Sequence, residues 1–283
     1  MNKEKIIVNY CPWCTSKEQN NWGKKIRGFS SVVCLECGLI FIKNRLSDNA
    51  LLEYLFSYLT DTHQADAVLN ANRQKMYKTE LNLIRSFIKQ SGDVLDVGCS
   101  GGYFLDEFRK RGFNTFGVEL GEMAAIEAGK RHSVWQGLYP EYNSKKTFDL
   151  IVFRGVLQYT PNPKDYLIKA ISSLNKNGLL MISQTPNGGS FCANLFKEQF
   201  NQHCPEDHLM HFSLHHFDKY FEKNGFIKIV ETYPYEETPY FSPQSDISLV
   251  NQAIDLVQNG KQIDFQSPPF WGNMMTLVYQ KNG

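Results

Sequence analysis

With 283 residues, of which 42% are hydrophobic and 21% charged, the chain has the composition of a globular protein with one large domain or one domain and appendages. Its net charge of +1 excludes a basic surface over the whole molecule, and no apolar run reaches the roughly 18 residues of a membrane span. The N-terminal Ile6-Ile7-Val8 run is too short for the apolar core of a signal peptide, so we expect a cytoplasmic protein.

Two C-x2-C pairs stand near the N-terminus, separated by 19 residues, and Gly38 follows the second pair. The four cysteines are Cys11, Cys14, Cys34 and Cys37. This spacing can bring four thiolates into a tetrahedron around Zn²⁺ and leaves no open position, so it predicts a structural zinc ribbon in residues 1–45. An iron site of the same geometry, a disulfide pair and a redox motif are the alternatives. A cytoplasmic chain disfavours disulfides, and a redox pair needs no second copy.

The charge is unevenly distributed along the chain. Residues 1–45 hold eight Lys or Arg and three Glu, a net charge of +5, which leaves −4 for the remainder. A solvated module without a nucleic-acid partner is the simpler interpretation, and RNA binding by this module is the alternative.

Residues 46–92 have a helical pattern. Leu51, Leu52 and Leu55 give one apolar stripe, and a second apolar pattern runs from Met76 to Ile88 and stops near Gly92. We expect a helical segment that leads into the first strand of the next domain.

A glycine-rich turn follows. The apolar strand 93–97 contains Asp96 and runs into an acid-x-Gly-x-Ser-x-Gly sequence that includes Gly98 and Ser100, after which a helical pattern opens. A strand, a tight turn and a helix N-terminus form a nucleotide pocket in α/β sheets. The next strand ends in Glu119, whose carboxylate can accept both hydroxyls of a ribose. A dinucleotide fingerprint would need glycines where Ser100 and Tyr103 stand.

This turn resembles motif I of the class I S-adenosylmethionine-dependent methyltransferases, with Ser100 at the middle glycine. The resemblance implies that Asp96 supports the methionine end of the cofactor, that the turn lines it and that Glu119 holds the ribose. Arg73 and Tyr77 are candidates for binding the methionine carboxylate, and the alternative is that they are a surface charge and a core aromatic residue. The cofactor-binding residues implied are Tyr77, Asp96, Gly98, Cys99, Gly101, Gly102, Phe104, Glu119, Leu120, Phe153, Arg154 and Gly155.

From residue 93 onward, strands and helices alternate. The predicted strands are 93–97, 114–118, 133–136, 148–153, 178–184, 226–230 and 274–279, and the predicted helices include 102–111, 121–131 and 163–175. This alternation predicts an α/β fold with a doubly wound sheet. The resemblance implies that it is the seven-stranded methyltransferase (Rossmann-like) sheet, in residues 93–283, with an antiparallel last strand and preceded by the zinc ribbon.

Two loops are candidates for acid/base chemistry. After the fourth strand, methyltransferases commonly have an acid-His pair where this chain has Gln158-Tyr159. The segment Asp207-His208, followed by Phe-Ser, resembles zinc-ribbon methyltransferases that act on sugars and small molecules. We therefore predict His208 as the general base, Asp207 as the residue that orients it, and Tyr159 as a further catalytic candidate. The alternative is that His208 only ties its loop down.

Residues 234–272 form a long insertion with a predicted helix at 246–258. Its aromatic residues either wall an acceptor pocket or form a satellite core or a subunit contact. The aromatic residues concerned are Tyr235, Tyr240, Phe241, Phe270 and Trp271.

The expected function is methyl transfer from S-adenosylmethionine to a small-molecule acceptor, such as a sugar or another cell-surface or secondary-metabolite precursor. The alternatives are an rRNA or tRNA methyltransferase that grips RNA with its basic zinc ribbon, and a non-catalytic protein with the methyltransferase fold. The sequence indicates no membrane partner and no particular oligomeric state.

Overall fold

The computed structural model describes residues 4–61 and 67–283, which form two sheets with flanking helices. The strands are β1 (Gln19–Asn21), β2 (Ser31–Cys34), β3 (Ile40–Ile42), β4 (Asp93–Val97), β5 (Asn114–Glu119), β6 (Ser133–Gln136), β7 (Phe148–Arg154), β8 (Leu174–Pro186), β9 (Met210–His211), β10 (Phe226–Thr232) and β11 (Met274–Lys281). The helices are α1 (Asp48–Asp61), α2 (Ala67–Ile84), α3 (Tyr103–Arg109), α4 (Glu122–Gly129), α5 (Pro163–Ser173), α6 (Phe191–Phe196), α7 (Leu214–Lys223) and α8 (Pro243–Gln258).

The large sheet has seven strands in the order β10-β11-β8-β7-β4-β5-β6. Strands β4 to β8 pair in parallel, whereas β11 lies between β8 and β10 and is antiparallel to both. The predicted Rossmann-like sheet with an antiparallel last strand is thereby confirmed. Connections leave in opposite directions from β4 and β7, and ligands of such sheets bind at the carboxyl ends of the strands around this switch point.

Both faces of the central strands are buried, which explains their continuous apolar sequences. Val94 and Leu150 belong to the cluster on one face, which α2 and α3 cover, while their neighbours Leu95 and Ile151 belong to the cluster on the other face. The second cluster includes residues of α5 and α7 and also Trp13 of the N-terminal module. The alternation follows from the two-residue repeat of a strand.

The small sheet has the order β1-β2-β3-β9, so its fourth strand comes from the segment after β8. Ile40 pairs with His211 and Phe41 with Met210. The module predicted for residues 1–45 therefore shares a sheet with a segment roughly 170 residues later in the chain. This pairing positions the loop that contains Asp207 and His208.

Other predicted elements differ from the structure mainly at their ends. The predicted helix 163–175 ends at Ser173 because β8 begins at Leu174. The helix of the insertion begins at Pro243 rather than at 246, with the proline in its first turn, where the missing N–H has no cost. Part of the helical segment predicted for 46–92, residues 62–66, lies outside the described residues.

The aromatic residues of the insertion do not wall the main cavities that the structure describes. Phe270 packs against the cluster formed by α6 and α8, as a satellite core would, and Trp271 is 64% exposed. Within residues 4–61 and 67–283, none of the helices combines the length and the apolar character that crossing a bilayer requires.

Candidate active site and cysteine cluster

The turn after β4 has a backbone that requires glycine. Gly98 has φ 75°, and a Cβ there would lie 2.7 Å from Cγ2 of Val156. Its N–H donates to the carbonyl oxygen of Val118, 2.7 Å away, which holds the turn against the neighbouring strand. Ser100 also lies in the left-handed region, with φ 49°, and Gly102 caps α3 with φ 79°. The turn therefore brings bare backbone to the carboxyl edge of the sheet.

Two adjoining cavities open at this edge. The larger has a volume of about 590 Å³ and the smaller about 100 Å³, and Arg73, Gly98 and Ser100 line both. The larger cavity is walled by apolar and aromatic side chains, among them Leu51, Leu52, Leu55, Leu138, Tyr139 and Tyr166. The smaller is lined by polar and charged groups together with two aromatic rings of α3 and by Tyr77 of α2. The volume of the larger cavity is that of a small-molecule site.

Glu119 lies at the end of β5 and lines the larger cavity with only 4% of its surface exposed. Its Oε2 accepts a hydrogen bond from the Ser100 N–H and its Oε1 from the Gly121 N–H, each at 2.7 Å. Burial raises the pKa of Glu119, and these backbone donors oppose that shift. Each carboxylate oxygen keeps a second acceptor direction, which suits a diol such as that of a ribose.

Asp96 lines the smaller cavity and is 2% exposed. Its Oδ1 has no hydrogen-bond partner among the described residues. Burial raises the pKa of Asp96 to about 8, although the nearby Arg154 opposes the shift. A buried carboxylate oxygen without a partner is costly, and a ligand ammonium group would satisfy it.

Arg154 ends β7 and also lines the smaller cavity. Its Nε donates to Oε2 of the buried Glu80, 2.8 Å away, and its guanidinium lies 4.8 Å from the centre of the Tyr77 ring. Gln184, with φ 49°, donates to the other oxygen of Glu80 at 2.7 Å. In the described part of the chain the Nη groups of Arg154 make no hydrogen bond to protein, so they are available to a ligand carboxylate.

Tyr159 lines the larger cavity, and behind it lies His208. The His208 Nε2 is 3.1 Å from the Tyr159 hydroxyl, and its Nδ1 is 2.6 Å from the carbonyl oxygen of Gln202. A carbonyl only accepts, so Nδ1 carries the proton. Burial lowers the pKa of His208, which keeps the ring neutral, so its Nε2 accepts from the Tyr159 hydroxyl.

Asp207 does not orient this ring. Both nitrogens of His208 have other partners, and the Asp207 Oδ1 has none among the described residues. In the position predicted for Asp207, the main-chain carbonyl of Gln202 lies within hydrogen-bonding distance of Nδ1. Asp207 is buried, and burial raises its pKa.

The predicted site residues divide into two groups. Those that line a cavity are Tyr77, Asp96, Gly98, Cys99, Phe104, Glu119, Leu120, Arg154, Gly155 and Tyr159. Those outside the two cavity linings are Gly101, Gly102, Phe153, Asp207 and His208. Phe153 is fully buried in the core, and a Cβ on Gly102 would lie 2.6 Å from Cδ2 of His132.

Sequence reasoning missed Glu80 and Gln184. Glu80 lies on α2 beside Tyr77 and Leu81 and is 3% exposed. A carboxylate on the apolar face of a helix is the signal that could have identified it, since a buried acid requires a partner.

The four predicted cysteine ligands meet in space. All four Sγ atoms lie within 4.8 Å of one another, and the Cys11–Cys37 and Cys14–Cys34 pairs are each at 3.5 Å. A Zn–S bond of about 2.3 Å implies tetrahedron edges of about 3.8 Å, close to these distances. The hydrogen bond between Cys11 and Cys37 lowers the pKa of Cys11 and raises that of Cys37, and burial raises the pKa of Cys14, so the thiols share protons rather than all ionising. The cluster thus fits a tetrahedral metal ion.

Comparison with known proteins gives a family. A model of the methyltransferase domain matches residues 69–231. The ubiquinone biosynthesis O-methyltransferase of Rickettsia conorii is 25% identical over 150 residues, which are 49% of this chain and 52% of that protein. Its mitochondrial counterpart in Schizosaccharomyces pombe is 28% identical over 104 residues, 32% of this chain and 36% of that protein. The chain thus spans about half the length, or less, of these curated relatives.

Solved structures show the same fold. The plantazolicin methyltransferase BpumL, in complex with SAH, is 16% identical with a TM-score of 0.53, covering 82% of this chain and 94% of that one. A SAM-dependent methyltransferase from Thermotoga maritima, described as a possible histamine N-methyltransferase, is 16% identical with a TM-score of 0.52, covering 82% and 98%. The seven-stranded sheet of this chain has the fold of the SAM-dependent methyltransferases. Because the family model matches more than half of the residues of this chain, the chain belongs to the methyltransferase domain family.

Proposed function

We propose that this protein is an S-adenosylmethionine-dependent methyltransferase that methylates a hydroxyl group of a small molecule. One observation carries the proposal: Asp96, Glu119 and Arg154, at the ends of three neighbouring strands, surround the glycine turn with free acceptor and donor capacity. Glu119 would hold the ribose hydroxyls, Asp96 the amino group and Arg154 the carboxylate of the cofactor.

The protein's own share of the chemistry is placement and proton removal. S-adenosylmethionine, when bound, supplies a methyl group that its sulfonium already activates. Holding two reactants in line can lower a barrier by roughly 7–11 kcal/mol. The Tyr159–His208 pair would take the hydroxyl proton: the acceptor's proton passes to the Tyr159 oxygen while the Tyr159 proton passes to Nε2 of His208. The Gln202 carbonyl then stabilises the imidazolium through Nδ1.

The cavity favours an acceptor with an apolar body over a sugar nucleotide. Leucines of α1 and the rings of Tyr139 and Tyr166 form its walls, while Asp48 and Asp165 lie on the lining. Among the described lining residues, Arg73 is the one cation, and it is shared with the smaller cavity. A diphosphate would need more cationic partners than this. That the curated relatives are named O-methyltransferases agrees with a hydroxyl acceptor.

RNA methylation is less well supported. Of the cations in residues 1–45, Lys3 lies outside the described residues and several others have partners within the protein. Lys5 lies 3.6 Å from the centre of the Phe29 ring, Arg27 pairs with Glu206, Lys43 donates to Gln19, and Arg45 pairs with Asp48. These four cations already have partners within the protein, which leaves fewer charges for a phosphate-binding surface.

We further propose that the cysteine cluster holds a structural Zn²⁺. Four protein ligands at these separations leave no position for a water or a substrate. The cluster also lies apart from the residues that line the two cavities.

Calorimetric titration with S-adenosylhomocysteine tests the cofactor assignment. We expect micromolar binding by the wild type, at least tenfold weaker binding by Glu119→Ala, and wild-type binding by Glu122→Ala, which removes an exposed carboxylate on the same side of the sheet. Binding that survives Glu119→Ala unchanged would remove the ribose role. No binding by the wild type would leave the non-catalytic interpretation.

Turnover then identifies the acceptor class. Release of S-adenosylhomocysteine is measured with simple phenols, with sugar nucleotides and with total RNA as acceptors. Turnover with a phenol supports an acceptor with an apolar body. Turnover with sugar nucleotides or RNA alone would contradict it.

A further inference from the structure

The peptide next to His208 is held between the N-terminal module and the loop that carries Tyr159. The N–H of Ile42, the last residue of β3, donates to the Leu209 carbonyl at 3.0 Å. The N–H of Leu209 in turn donates to the carbonyl of Gln158 at 2.8 Å. Leu209 follows His208 and Gln158 precedes Tyr159, so two hydrogen bonds connect the small sheet to both members of the pair.

A buried chain of side chains fixes the rest of this loop to the same module. His203 Nε2 is 3.1 Å from the hydroxyl of Ser31, and its Nδ1 is 2.9 Å from Nε2 of His211. The Nδ1 of His211 is buried without a partner among the described residues, which is less costly for an acceptor than for a donor. His211 therefore donates to His203, and His203 donates to Ser31.

The cysteine cluster organises the strands that make these contacts. Ser31 begins β2 and Cys34 ends it, and the Cys34 N–H donates to the Leu39 carbonyl at 2.8 Å, which closes the turn to β3. Beyond the cluster, His215 Nε2 donates to the Cys37 carbonyl at 2.7 Å. Trp13, between the first two cysteines, packs edge-on against Phe212, with ring centres 5.5 Å apart.

The residues that follow β8 pack closely against the loop of residues 203–212 and restrict its movement. The Gly188 N–H, just after β8, donates to the Phe212 carbonyl at 2.6 Å. A Cβ on Gly188 would lie 2.9 Å from the His211 oxygen, so glycine is needed where the two backbones meet. Strand β9 is thereby confined between β3 of the small sheet and the residues that follow β8.

We propose that the N-terminal cysteine module is a positioning element for the Tyr159–His208 pair, so that an intact metal cluster is required for the geometry of proton removal but not for cofactor binding. This inference deepens the proposed function and rests on it. The groups assigned to the cofactor lie at the ends of β4, β5 and β7, whereas the hydrogen bonds described above connect the module to residues 203–215 and, through Leu209, to Gln158. Loss of the module should therefore loosen the Tyr159–His208 pair and leave the cofactor-binding groups in place.

Ser31→Ala tests this with a small change. It removes the hydroxyl that accepts from His203 and leaves the four cysteines unchanged. The matched control is Ser16→Ala in the same module, whose hydroxyl accepts, among the described residues, from the neighbouring Glu18 N–H alone. The readouts are amide hydrogen exchange in a peptide covering residues 203–212, calorimetric binding of S-adenosylhomocysteine, and turnover of an acceptor that the wild type methylates.

We expect exchange in residues 203–212 to accelerate at least tenfold in Ser31→Ala, with turnover lower by about tenfold and the dissociation constant of S-adenosylhomocysteine within twofold of wild type. Ser16→Ala should match the wild type in all three. Unchanged exchange in Ser31→Ala would overturn the proposal, and so would a parallel loss of cofactor binding, since that would mean general destabilisation.

Metal removal provides a second, independent test of the positioning role. Protein treated with a chelator should show the same accelerated exchange in residues 203–212 while the β4 segment, residues 93–98, keeps its protection and S-adenosylhomocysteine still binds. Slow exchange in residues 203–212 after verified metal loss would contradict the positioning role. If the wild type fails to bind S-adenosylhomocysteine, the proposed function fails, but the exchange comparison still decides whether the module holds this loop.

Discussion

The hydroxyl of Tyr159 lies 3.1 Å from Nε2 of His208, although 49 positions separate the two residues in the chain. Their rings also contact edge-on, with centres 4.9 Å apart. Tyr159 faces the larger cavity, and His208 stands behind it on a loop held by the small sheet. Tyr159 stands where the resemblance to methyltransferases predicts a histidine, and a histidine from elsewhere in the chain contacts its hydroxyl.

Tyr159→Phe and His208→Ala should each lower turnover by about 10²–10⁴-fold, because each interrupts removal of the acceptor proton. The dissociation constant of S-adenosylhomocysteine should stay near that of the wild type. The measurement is steady-state kinetics beside calorimetry, with Tyr240→Phe, an exposed tyrosine of the insertion, as the control. Full turnover by His208→Ala with normal cofactor binding would leave His208 only the role of tying its loop.

Binding of S-adenosylhomocysteine should tighten as the pH rises from about 6 to about 8. Burial raises the pKa of Asp96 to about 8, so the free protein holds this carboxyl largely protonated below that pH. A ligand ammonium needs the carboxylate, and the proton must leave first, which weakens binding by up to about tenfold per pH unit below the pKa. Calorimetry at several pH values measures the slope. Asp96→Asn should bind S-adenosylhomocysteine more weakly at pH 8, and its affinity should no longer change with pH. If the affinity of this variant still rises with pH, a group other than Asp96 causes the pH dependence.

Glu80→Gln should weaken binding of S-adenosylhomocysteine by roughly tenfold or more, although Glu80 does not line either cavity. Glu80 holds Arg154 and Gln184 in place, and the hydrogen bonds of charged groups contribute about 1.5–3 kcal/mol each. Thermal unfolding should show lower stability as well, because the change leaves Arg154 with no ionised partner in a buried setting. Glu53→Gln, an exposed acid of α1, is the control. If Glu80→Gln and the wild type bind S-adenosylhomocysteine with equal affinity, Arg154 is excluded as the group that binds the ligand carboxylate.

The purified protein should contain one zinc ion per chain by elemental analysis, and Co²⁺ exchanged into the site should give the absorption spectrum of a tetrahedral sulfur site. Cys14→Ser should lose most of the metal and melt at a lower temperature. Cys204→Ser is the matched control, because Cys204 is a free thiol outside the cluster. Stoichiometric iron in place of zinc would identify the iron site of the same geometry.

The sequence alone determined the features that depend on neighbouring residues. The acid and glycines after β4, the position of Glu119 at the end of the next strand, and the two C-x2-C pairs are local patterns whose spacing itself dictates a turn or a ligand set. The alternation of apolar segments likewise predicted a doubly wound α/β sheet, since each segment contains the length and period of its own element.

Only the tertiary structure decided which distant groups meet. The contact between Tyr159 and His208, the Gln202 carbonyl in the place predicted for Asp207, and the burial of Glu80 against Arg154 all join separate segments. The same is true of β9, whose two residues are too few for a strand pattern and complete a sheet begun near the N-terminus. A hydrogen bond between remote segments depends on how the elements pack, and no local spacing in the chain encodes that geometry.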